Sequence, residues 1–180
     1  MKAVTRAFLC AGLVMAFASA GFAQEAKSAA LAKQLAAALE AANLDSIAAK
    51  DPAKPDTFVG ALYFKGLQLL VISAKYSAPL ILTDKVAKKD YRDVYLDLNG
   101  ASIPDTKIFV EDLGADGLKP DHDNNTPFDA CETAGKRTAF DGDWKRQQMS
   151  EGDYKKAFEK ADDEYSEMLT ALLAQVKKSS

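Results

Sequence analysis

The sequence predicts an α+β domain, a small antiparallel and split-barrel-like sheet covered by one helix near each end of the chain. Three observations carry this. Leu31, Leu35 and Leu39 recur every four residues in an alanine-rich stretch. Residues 58–64 and 67–76 are two largely apolar runs joined at Lys65-Gly66. Tyr154, Phe158, Ala161, Tyr165, Met168, Leu172 and Val176 repeat at spacings of four and three, the period of a helix with one buried face.

Taken in order, the chain opens with Lys2 and Arg6, an apolar run from Ala7 to Ala18, and small residues at Ala18, Ala20, Gly21 and Ala23. This is the pattern of a secretory signal peptide, residues 1–23, with cleavage expected after Ala20 or Ala23. The apolar run is too short to cross a bilayer, which needs about 20 residues. The expected location is periplasmic or secreted, and residues 24–180 are expected to form a single globular domain without a membrane span.

"SAALAKQLAAALEAAN" follows as a helix, with Ser28 as its expected N-cap and Asn43 as its stop. Ser46 to Lys50 is short and strand-like, before a turn built on Pro52 and Pro55. Phe58–Phe64 and Leu67–Tyr76 are strands, and the Lys65-Gly66 pair predicts a two-residue hairpin with positive φ at the glycine. Both are apolar on both faces, which predicts the middle of a closed or covered sheet. "SAPLILTDKVAKKDY" predicts a short helix and Arg92–Leu98 an alternating strand. Lys107–Leu113 is another strand, and Gly114–Phe128 a long polar loop. "RTAFDGDWK" predicts a small hairpin turning at Asp141-Gly142. Ser150 and Asp153 form a capping-box variant at the start of the last helix.

Composition narrows the chemistry. The chain holds 23 basic and 26 acidic side chains. Loss of Lys2 and Arg6 with the leader leaves 21 against 26, a net charge of −5. That balance argues against nucleic acid or an anionic membrane as the main partner. A single histidine excludes multi-histidine metal sites. There is no C-x-x-C, Walker A, G-x-G-x-x-G or G-x-S-x-G motif. Cys10 leaves with the leader, so Cys131 is expected to be a half-buried thiol acting as a small hydrophobe. His122 lies between Asp121 and Asp123 and is read as a surface histidine rather than the base of a cysteine dyad.

Two segments are candidate sites on their residues alone. "DHDNNTPFDACE" places Asp121, Asp123, Asn125, Asp129 and Glu132 at positions 1, 3, 5, 9 and 12 of a calcium loop, with the Pro127 carbonyl at position 7. Thr126 stands where such a loop has glycine, and the competing reading is a solvated acidic loop. If calcium binds there, millimolar affinity and a structural role are expected. Trp144 stands among Lys136, Arg137, Lys145 and Arg146. Those cations could edge a site for a planar anion. The reading preferred is a tryptophan that caps the core with its indole N–H at the surface.

Residues 45–113 resemble, in the order of their elements, the flavin-binding split barrel of the pyridoxamine-phosphate-oxidase type. The matching segment is "VISAKYSAPLILTDK". The resemblance implies that Ser73 and Lys75, with Lys85 and Lys88 beyond them, lie near the phosphate of flavin mononucleotide. Three functions therefore compete. The favoured one is an exported, non-catalytic binding or accessory domain, since no catalytic constellation is visible. The alternatives are a flavin-binding, redox-active split barrel and an interaction protein that forms a homodimer.

Overall fold

The computed structural model describes residues 26–76, 107–121, 128–133 and 135–179. Among the described residues, two helices and six strands follow one another: α1 (Ser28–Ala41), β1 (Ser46–Lys50), β2 (Phe58–Phe64), β3 (Leu69–Tyr76), β4 (Lys107–Leu113), β5 (Ala130–Thr133), β6 (Lys136–Ala139) and α2 (Glu151–Ser179). The strands form one antiparallel sheet in the order β1-β2-β3-β4-β5-β6. The fold is α+β, as expected. The sheet is open among the described strands, with β1 and β6 as its edges. The expected helix and strand within 77–98 lie outside the described residues.

Both helices lie on one face of the sheet. From that face Val59, Ala61, Tyr63, Leu70 and Ile72 meet Leu35 and Leu39 of α1 and Tyr165, Leu169 and Leu172 of α2. A second cluster, Leu62, Leu69, Val71 and Ile108, occupies the other face. Residues i and i+1 of a strand point to opposite faces, so β2 and the Leu69–Ile72 part of β3 are apolar on both faces and serve both clusters. All seven positions of the α2 stripe are buried. Each large side chain so covered is worth roughly 1.5–3 kcal/mol. Ser150 Oγ accepts the Asp153 N–H at 3.1 Å and donates to the Asp153 carboxylate at 2.7 Å, which realises the capping motif.

The start of α1 departs from expectation. Ser28 is the first residue of the helix, not its cap. The free N–H groups of Lys27 and Ser28 donate instead to Asp162 of α2, at 2.7 and 3.0 Å. A carboxylate at a helix N-terminus satisfies orphan donors and opposes the positive end of the dipole. Here it comes from the neighbouring helix and ties the two together. The end of α1 follows the sequence: Asn43 takes φ 53°, its N–H reaches the Glu40 carbonyl, and the Leu44 N–H reaches that of Leu39. This is a Schellman stop with asparagine in the left-handed position.

Two turns differ from the reading of the sequence. Lys65–Leu67 forms a 3₁₀ turn, and the positive φ falls on Gln68 at 47° rather than on Gly66. β3 therefore starts at Leu69, and Leu67 is the large apolar side chain left exposed, 57% accessible. The last hairpin pairs β5 with β6, so that Thr133 faces Lys136, with Gly135 before β6 at φ 77°. Asp141-Gly142 lies beyond β6, in the segment leading to α2. A connection at Gly135 lacks the strong Asp-Gly signal, and the true strands are only four residues long.

Candidate functional site

The density of carboxylates in residues 111–132 makes this region the natural place to look for chemistry. Asp112, the last residue but one of β4, is fully buried. It accepts the Tyr165 hydroxyl at 2.8 Å, the Gly117 N–H at 2.9 Å and the Asp116 N–H at 3.1 Å. Asp129, just before β5, accepts the N–H groups of Leu113 at 2.8 Å and Lys119 at 2.9 Å. The remaining amide, that of Leu118, donates to Ser28 Oγ at 3.0 Å. Four consecutive backbone amides, 116–119, are thus held by side chains. The loop can follow this path because Gly114, Ala115 and Gly117 all adopt positive φ. Gly117 also passes so close to α1 that a Cβ would lie 2.4 Å from the Ala29 Cα.

Burial pushes the Asp112 carboxyl up to about 6, against the donors that favour its charged form. Burial, together with the negative charge of Asp112, pushes Asp129 up to about 7. Burial likewise raises the Tyr165 hydroxyl well above its ordinary range, with Asp112 adding to the effect. This network binds backbone. Every described oxygen contact on Asp129 is an amide N–H, and a cation there would have to displace two of them.

The expected calcium set is therefore divided. Asp121 is exposed, beside Gly142. Asp129 is buried and holds the loop, while Glu132 sits half-buried on β5. Asp123 and Asn125 lie outside the described residues. Among the described residues, no group of three or more histidine, cysteine, aspartate or glutamate side chains is placed to hold a metal. Ser73 is buried on β3, its hydroxyl 3.5 Å from the Gly60 carbonyl. Lys75 is the extra residue of a bulge, since Phe58 pairs with Tyr76 and Val59 with Ala74. Lys85 and Lys88 lie outside the described residues.

Cys131 is fully buried against the helices, and burial pushes its thiol up to about 12. It is a core residue, more deeply placed than the half-buried thiol expected. Trp144 is partly buried against the core, with the Lys145 ammonium 5.1 Å from its ring centre. Arg137 and Arg146 form ion pairs with the buried carboxylates of Glu111 and Asp141. Those two arginines have partners of their own, so the described cations do not converge on the tryptophan.

The concave feature of interest lies elsewhere. A cleft of about 450 Å³ opens between the β1–β2 turn, the bulged start of β4, the β5–β6 hairpin and the middle of α2. Its floor is Phe109 and Met168, both largely buried, and Ile108, which packs into the cluster on the other face of the sheet, borders it. Phe109 reaches it through a bulge, because Ile72 pairs with Val110 and Ser73 with Ile108, leaving Phe109 as the extra residue. Glu132, Glu164 and Glu167 stand along the walls. The turn side is shaped by Asp51, whose carboxylate holds the Ala53 N–H and the Thr57 hydroxyl. Sequence reading missed this cleft, since its residues come from four separated segments. The available signal was indirect: three glutamates on or near strongly apolar elements. No protein-family model, curated protein or solved structure matches this chain.

Proposed function

We propose that this chain is an exported, non-catalytic binding or accessory domain whose ligand occupies the cleft beside α2. The observation that carries the reading is the cleft itself, with an apolar floor and polar walls, at a volume in the usual range for small-molecule sites, roughly 300–1,000 Å³. The leader-like residues 1–23 support export. The bonding of Asp112 and Asp129 to backbone amides supports a scaffold role for the most perturbed carboxyls rather than proton transfer to a substrate.

The test combines native mass spectrometry of protein taken from the periplasm with a thermal-shift screen of small metabolites. A retained or stabilising compound is expected, and Thr133→Trp, which fills the cleft from the hairpin side, should abolish its effect. A stabilising compound indifferent to Thr133→Trp would move the site elsewhere. Stoichiometric yellow colour after adding flavin mononucleotide would replace this reading with the flavin-binding one. A stable dimer with no small-molecule response would favour the interaction protein.

A further inference from the structure

We propose that residues 115–119 form a latch over the start of α1, held shut while Asp112 and Asp129 keep at least one proton between them and loosened when both are charged. The inference is independent of the cleft. Bonds to neutral groups fix the two ends of the segment. The Gly114 N–H donates to the Gln68 carbonyl at 2.7 Å, and the Tyr154 hydroxyl donates to the Pro120 carbonyl at 2.8 Å. Between those points the chain passes through φ of 48° at Ala115 and 90° at Gly117. Left-handed backbone at a non-glycine residue persists only where its surroundings impose it. Here the surroundings are Ala115 and Leu118 packed in the core, the Leu118 N–H on Ser28 Oγ, and the amides of 116, 117 and 119 on the two carboxylates.

The burial of the pair sets the proton dependence. Asp112 and Asp129 are both almost fully shielded from water. Among the described residues, no lysine or arginine forms an ion pair with either, and the Lys119 ammonium lies 2.9 Å from Asp116 instead. A buried carboxylate without a counter-ion is strongly disfavoured in its charged form, and one loop here rests on two. The described titratable groups that act on the pair are Asp116 and Lys119 of the loop and Tyr165 of α2. The charge of Asp116 adds to the repulsion. Tyr165 donates to Asp112 and, raised well above its ordinary range, keeps its proton throughout. Asp112 at about 6 and Asp129 at about 7 belong to the closed loop. Once the loop lifts, both carboxyls meet water and return towards 3.8. The closed form therefore binds more protons than the open one. Low pH favours closure, and the balance moves towards opening as pH rises through 6 and 7.

The experiment is native-state hydrogen exchange of the whole protein, read residue by residue from pH 5 to pH 7.5 and corrected for the intrinsic rate at each pH. The amides of 116–119 are expected to lose protection roughly 100-fold over that range, since each group contributes at most about tenfold per pH unit. They should also exchange with less protection and a weaker dependence on urea than the amides of β2 and β3, which marks a local opening. Asp129→Asn, which removes one titration, should cut the pH-dependent loss to roughly tenfold. Protection at 116–119 that is flat or rises with pH would overturn the latch. So would an unchanged pH dependence in Asp129→Asn, or exchange at 116–119 that matches β2 and β3 in protection and urea dependence, since the loop would then open only with the whole domain. The wild-type series decides the matter alone if the variant does not fold.

Discussion

The loop at 113–120 and the cleft beside α2 are both rich in carboxylates, and they use them oppositely. In the loop, Asp112 and Asp129 are buried and their oxygens face backbone amides. In the cleft, Glu132, Glu164 and Glu167 line the walls at partly or fully exposed positions, and Lys160 stands 3.8 Å from Glu164. The comparison teaches that acidic density is not a site signal by itself. What matters is where the donors come from. A carboxylate whose donors come from its own chain's backbone builds a scaffold, whereas Glu167 stands exposed on α2 at the wall of the cleft.

Four measurements press on that contrast. The largest effect is expected at Gly117, where φ is 90° and any Cβ would meet the backbone of α1. Gly117→Ala should cost roughly 3–5 kcal/mol, combining left-handed strain with overpacking. Gly66→Ala, with nothing within 4 Å, should change stability by less than about 0.5 kcal/mol. Urea denaturation of the two variants decides this. A mild Gly117→Ala would mean that the loop is loosely held.

Next in size is Asp112→Ala. It strands two amides and the Tyr165 hydroxyl in the core, and each buried orphan costs about 1–3 kcal/mol. A loss of about 2–5 kcal/mol is expected, since removing a buried charge returns part of the cost. Thermal unfolding measures the loss, and hydrogen exchange at 116–119 should accelerate. Unchanged exchange there would show that the carboxylate does not hold the loop.

A smaller effect should appear on titration. The folded-state carboxyls of Asp112 and Asp129 lie at about 6 and about 7, above their ordinary value of 3.8. Between these limits the folded state keeps protons that the unfolded chain has released. Their contribution is therefore fullest below about pH 4 and falls as pH rises towards 7, by at most ~1.4 kcal/mol per pH unit for each group. Asp129→Asn removes one titration. The stability difference, wild type minus variant, should be more favourable to wild type at pH 4.5 than at pH 7.5. The reverse slope would place the folded-state value below the unfolded one.

The smallest effect belongs to the cleft. Glu167→Gln should leave stability within about 0.5 kcal/mol of wild type, because Glu167 is exposed on α2. A calorimetric melt checks it. A loss comparable to that of Asp112→Ala would make Glu167 part of the scaffold and erase the distinction between the two regions.

The local content of the fold was legible in the sequence. β1, β2 and β4 occupy the predicted residues, α1 stops at Asn43, and the α2 stripe is buried at every predicted position. These features depend on periodicity and on single residues with strong preferences, both of which act within a few positions. Hairpin turns were less legible, because Gln68 and Gly135 take conformations that the strands impose. The partners of the acidic residues were not legible at all. Asp112 meets Tyr165 across 53 positions, Asp162 meets Ser28 across 134, and Ser28 meets Leu118 across 90. A carboxylate reads the same in sequence whether it will face water, an amide or a ligand. Only the packing of α1 and α2 on one face of the sheet brings those donors within 3 Å, closes the loop over the start of α1, and leaves the cleft open at the middle of α2.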